Sequence, residues 1–151
     1  MFLGRNDITL KRLQEASRIC GNIPRECFDA AVSPLCLSDA KDNIREAINE
    51  TNDLSGAILN MKGGNMVIHR SFQLRPLSED RWWRNSLVEP VSDWAFMEIM
   101  NALDTRRAGY AYEFYCAIKG SSDGAVLAGK TFENHLHKYL KTSQSFIIEP
   151  R

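Results

Sequence analysis

The chain is 151 residues long, enough for one domain, or for one domain and a fragment of another. Hydrophobic residues make up 44% and charged residues 25%, so it can bury a core and is not disordered by composition. With 19 Lys+Arg against 19 Asp+Glu, no overall charge draws it to nucleic acid or to an anionic membrane.

The N-terminus, MFLGRNDITLKRLQEAS, is apolar for two residues and then charged. No secretion signal is expected there, no later apolar run is long enough to span a bilayer, and an intracellular chain follows. Leu10, Leu13, Ser17 and Cys20 recur at helical spacing behind the candidate caps Asn6 and Asp7. Gly21 breaks that helix, and Pro24 suits the first turn of a second one running to about Val32. SPLCLSDA reads as a break with Ser38 as the next cap, after which Ala40, Ile44, Ala47, Ile48 and Thr51 line one face of a third helix. Leu54 to Met61 gives a short fourth helix, stopped by Gly63 and Gly64.

The period then changes from helix to strand. Residues 65–76, NMVIHRSFQLRP, place Val67, His69, Ser71 and Gln73 on one side and Ile68, Arg70, Phe72 and Leu74 on the other. RWWRNSLVEP is the expected partner strand across the polar turn LSED. Helical spacing returns with Phe96, Ile99, Met100 and Leu103 behind the cap Ser92, breaks near Asp104 and Thr105, and resumes with Ala111, Phe114, Tyr115 and Ile118 up to Gly120. Trp94, Phe96, Met100 and Leu103 are expected to be buried against the third helix and the hairpin. SSDG is a linker, Asp123 a cap for a last long helix through Lys141, and SFIIEP a short closing strand. Four cysteines, Cys20, Cys27, Cys36 and Cys116, lack C-x-x-C spacing and read as reduced, partly buried thiols.

GAVLAGKT, Gly124 to Thr131, satisfies the phosphate-loop pattern G-x-x-x-x-G-K-[ST]. That loop needs a buried strand before it and a parallel sheet around it. Here a helix and a polar linker precede it, and only 20 residues follow Thr131. The match reads as fortuitous, with Lys130 and Thr131 expected on a regular helix.

Four stretches in order, SRICGNIPRECFDAAVSP, VIHRSFQLRP, SLVEPVSDWAFMEIM and AGKTFENHLHKYL, resemble the C-terminal half of Crinkler-type and retrotransposon-hotspot-like proteins of mushroom-forming fungi. The resemblance covers nearly the whole chain. It implies a piece lying after a P-loop ATPase core and ending just inside a nuclease-like domain. Residues 1–121 would form a helical lid and winged-helix-like module, and 122–151 the trailing helix and short strand that begin the nuclease. The fold expected is mainly α with a small antiparallel β-hairpin. The resemblance further implies that Arg25, in GNIPREC, takes the place of a nucleotide-sensing arginine, a role suited to a planar, permanently charged fork. Glu133 would match a glutamate on the first nuclease helix. The family also suggests effectors acting in the cytoplasm or nucleus of host cells.

Two further constellations stand on the residues themselves. Glu133 and His137 form an i, i+4 pair, two ligands where a metal site needs more. Residues 62–86 hold Lys62, Arg70, Arg75, Arg81 and Arg84 against Glu79 and Asp80, five cations less two anions for a net +3, with Trp82 and Trp83 among them. A hairpin carrying Arg70, Arg75, Arg81, Trp82, Trp83 and Arg84 is a wing able to touch phosphate and stack on bases. Alternatively, the tryptophans plug the core and the arginines form a solvated face. The sequence thus supports a non-catalytic interaction module with a protein partner or self-association and no cofactor. A nucleic-acid-binding wing, or a nuclease completed by a second chain, is the alternative.

Overall fold

The computed structural model describes residues 8–61, 68–76, 86–106, 109–122 and 124–142. They are mainly α-helical with one two-stranded antiparallel hairpin. Three helices come first: α1 (Leu10–Cys20), α2 (Pro24–Ala31) and α3 (Pro34–Glu50), followed by the short α4 (Leu54–Leu59). Each start has a local cause. Thr9 accepts a hydrogen bond from the Arg12 N–H and Ser33 from the Cys36 N–H, Asp53 accepts from Gly56, and prolines stand at the first positions of α2 and α3.

Several expected boundaries shift for the same reason. The cap of α1 is Thr9, not Asn6 or Asp7, because Thr9 has the extended backbone that lets its hydroxyl reach back to Arg12. Ser38 lies inside α3, since Ser33 followed by Pro34 starts that helix a turn and more earlier. Leu10 is exposed, so the buried face of α1 is Ala16, Ile19 and Cys20. The helix α4 ends at Leu59, ahead of the two glycines.

The first strand is shorter than its alternation suggests. Residues 65–67 lie outside the described residues; among those described, Ile68–Arg70 forms a single 3-10 turn and Phe72–Pro76 (β1) is extended. It pairs with β2 (Ser86–Pro90) in the register Phe72↔Pro90, Leu74↔Val88 and Pro76↔Ser86. Leu87 and Val88 are both buried although they point to opposite faces, because β2 is covered by α7 (Ala125–Thr142) as well as by α5 (Asp93–Arg106). The expected turn 77–80, residues 81–85 and the closing SFIIEP lie outside the described residues.

Ser92 caps α5 as expected, 3.0 Å from the Ala95 nitrogen. Phe96, Met100 and Leu103 are buried beside Ala95 and Ile99; Trp94 is half-buried, under the Arg45 guanidinium at 5.2 Å. Next comes α6 (Tyr110–Ile118), which buries Ala111, Phe114 and Ile118. The expected boundary at 121/122 falls in the turn between α6 and α7. Leu127 and Ala128 of α7 nevertheless join the same apolar core as α1, α3 and α5. Side chains such as Phe72, Phe114 and Ile99 each contribute about 1.5–3 kcal/mol on burial.

One junction fixes how α1 meets α5. Gly21 has φ +67 and ψ −140, a conformation reserved for glycine, and a Cβ there would lie 1.7 Å from the Val91 carbonyl oxygen. The neighbouring Ser92 hydroxyl donates to the Ile19 carbonyl at 2.7 Å. Gly21→Ala is therefore expected to lower unfolding stability by about 3 kcal/mol or more, read by denaturant melts, since backbone strain and a backbone clash add. A loss below about 1 kcal/mol would show that the junction yields without cost.

Candidate functional site

Large apolar side chains are exposed at several places, among them Leu10, Val32 and Leu35, and on α7 they form a row. Ala128, Phe132, Leu136 and Leu140 follow one another at i, i+4 spacing on one helix face. The row begins in the core, where Ala128 is 4% exposed, and then leaves it: Phe132, Leu136 and Leu140 are 53%, 42% and 43% exposed. Tyr112 of α6 lies nearby at 69%. One ring contact ties the two helices together, Tyr115 of α6 lying 6.0 Å from Phe132 of α7 between centroids; within α6, Tyr115 lies 6.4 Å from Tyr112.

Beside the row, an open cavity of about 580 Å³ is lined by Leu103, Ala111, Tyr112, Tyr115, Phe132 and His135. Thr131 forms part of its floor, but its hydroxyl is occupied in donating to the Leu127 carbonyl at 2.8 Å. Asp104 at the rim is held by Lys138. The His135 Nε2 is shielded from solvent and has no hydrogen-bond partner among the described residues. On the other side of the row, Glu133, His137 and Lys141 are exposed. The face is thus an apolar strip between an aromatic hollow and a polar edge, an arrangement suited to covering by another apolar surface.

The sequence-derived site residues fall apart in space. Arg25 is exposed in the first turn of α2, with no ion pair to a described residue. Arg70 lines a separate cleft of about 340 Å³ with Cys20, Cys36, Glu26, Asp29 and Asp39. Arg75 on β1 pairs with Glu89 on β2 at 3.4 Å. Arg81, Trp82, Trp83 and Arg84 lie outside the described residues. Glu133 and His137 share the exposed side of α7, and no three His, Cys, Asp or Glu side chains come together to hold a cation among the described residues. No described helix is long and apolar enough to cross a membrane.

Lys130 and Thr131 lie on α7, as expected, and the Ala128 N–H is tied to the Gly124 carbonyl at 2.8 Å. Lys130 reaches Asp93 at 3.6 Å and lies 6.0 Å from the Phe96 ring centroid, where it bridges α7 to α5. Reasoning from the sequence missed the α7 strip, although Phe132, Leu136 and Leu140 stand at i, i+4 in plain view. No protein-family model, curated protein or solved structure matches the chain.

Two measurements follow. Lys130→Ala is expected to change stability by no more than about 0.5 kcal/mol, an exposed pair being worth little. It should also leave affinity for ATP with Mg²⁺ unchanged in a titration, whereas a loss of micromolar binding would assign Lys130 to a phosphate site. The second concerns the thiols. Burial pushes the Cys20 thiol up to about 12, helped by Cys27 and Glu26 nearby, and burial also raises Cys27. The four cysteines are unpaired, two buried and two half-exposed. An alkylating reagent at pH 8 should modify Cys36 and Cys116 in the native protein and reach Cys20 and Cys27 only on unfolding, because the thiolate is the nucleophile. Native labelling of Cys20 at the rate of Cys36 would contradict that burial.

Proposed function

We propose that the chain is a non-catalytic interaction module whose working surface is the α6–α7 face, in keeping with its resemblance to a middle piece of a Crinkler-type protein. The observation that carries this reading is the row from Ala128 to Leu140, which starts in the core and continues into solvent with large apolar side chains. Isolated exposed leucines need no explanation, but an ordered strip beside an aromatic hollow does. The described arginines of the hairpin region support protein contact over nucleic acid. Arg75 is already paired with Glu89, and Arg70 shares its cleft with three carboxylates, so neither presents an uncompensated charge to a phosphate backbone.

Leu136→Asp tests the reading. An outward-facing residue on a helix should tolerate the change with a loss within about 1 kcal/mol, mostly helix propensity. The same change should abolish fluorescence of a hydrophobic dye on dilute protein and remove any concentration-dependent association. A large drop in melting temperature with dye binding unaltered would make Leu136 a core residue and end the reading.

A further inference from the structure

We infer that the α6–α7 face closes on a second copy of the same chain, with the two α7 helices antiparallel across a two-fold axis; this rests on the interaction-face reading above. The argument is one of charge order. Glu133, His137 and Lys141 run along a single edge of the strip, one turn apart, and all three are exposed. From the middle of α7 to its end the edge therefore runs from negative to positive, while Lys130, one turn before Glu133, is taken up by Asp93.

A two-fold axis perpendicular to a pair of helices reverses one helix while keeping the same edge on the same side. The edge then meets its own reversed copy. With the axis near Leu136 and His137, Glu133 faces the partner's Lys141, and Lys141 faces the partner's Glu133. The apolar row is brought into register by the same operation: Phe132 lies across from the partner's Leu140, and Leu136 packs near the axis. A self-complementary strip with a self-complementary edge needs no other protein to satisfy it. Tyr112 extends the apolar surface on the opposite side, where the hollow at Tyr115 and His135 leaves room for side chains from the second copy.

The charge order supplies the test. In the dimer each edge pair occurs twice, so Glu133→Lys or Lys141→Glu alone turns two attractive contacts into two repulsive ones. Each single variant is expected to weaken dimerisation roughly tenfold in sedimentation equilibrium or light scattering. The double variant Glu133→Lys with Lys141→Glu restores the order in reverse and should recover the wild-type association. Both substitutions are at exposed positions, and thermal melts check that the fold is retained. A wild-type dimer whose single variants associate unchanged, or whose double variant stays as weak as the singles, overturns the antiparallel pairing. A wild-type chain that remains monomeric at high concentration overturns the second copy as occupant. In that case dye binding lost on Leu136→Asp leaves the interaction face standing, and absence of dye binding removes the face as well.

Discussion

The approach of the Gly21 backbone to the Val91 carbonyl is the contact from which the placement of the other helices follows. A chain leaving α1 must turn where no side chain fits, and the left-handed φ at Gly21 makes that turn. The turn does more than change direction. It brings the carboxyl end of α1 to the amino end of α5, so that one serine serves both: the Ser92 hydroxyl accepts from Ala95 and donates to Ile19. Orphan backbone groups at two helix ends are satisfied in one place. The Gly21 carbonyl is itself used, accepting from the Cys27 thiol at 3.2 Å.

From that anchored start, α5 is held at its far end by different chemistry. Arg106 donates to the Ile48 carbonyl at 2.6 Å and to the Asn52 carbonyl at 3.1 Å, which closes the exposed carboxyl end of α3. A cation there also meets the negative end of the α3 dipole. Midway, Arg45 of α3 holds Glu98 of α5 through two nitrogens while its guanidinium lies over Trp94. These pairs are partly exposed and each is worth little alone. The rotation of α5 is set by burial of Ile99, Met100 and Leu103, and these pairs are compatible with it, meeting Glu98 and Trp94 at the surface. With α5 set, the hairpin and α7 have a surface to cover, and β2 is buried on both faces.

Much of this was legible in the sequence because short-range rules set it. Gly21, Pro24 and Ser92 mark helix ends by their own stereochemistry, and the 3.6-residue period placed the inward faces of α3, α5 and α6. The errors came where two local signals competed. Ser38 and Ser33 are both credible caps, and the proline after Ser33 settles the matter only when the backbone is seen. Residues 68–70 continue the alternation of 65–76, yet they form a 3-10 turn, because the chain opposite them, beyond Pro90, turns into α5 and offers no strand to pair with. Arg75 illustrates a limit of another kind. Its charge was visible in the sequence, but its pairing with Glu89 depends on strand register, which no local pattern encodes.

The α7 strip shows why core and surface cannot be separated by periodicity alone. Ala128, Phe132, Leu136 and Leu140 are one row by spacing, and a helical wheel gives them one environment. Their environment changes along the helix because α7, at 18 residues, outruns the surface that β2 and α6 provide. At about 1.5 Å per residue the helix is roughly 27 Å long, whereas the nine-residue α6 beside it is about half that. The excess length carries large apolar side chains, where polar ones would have ended the interior at Thr131. A helix kept amphipathic beyond its own core costs solubility unless something covers it. The acid-to-base order of Glu133, His137 and Lys141 lies along that same excess length. The two features occupy the same turns, so whatever surface covers the apolar row must also accept a charge gradient. A reversed copy of this helix meets both requirements with one operation.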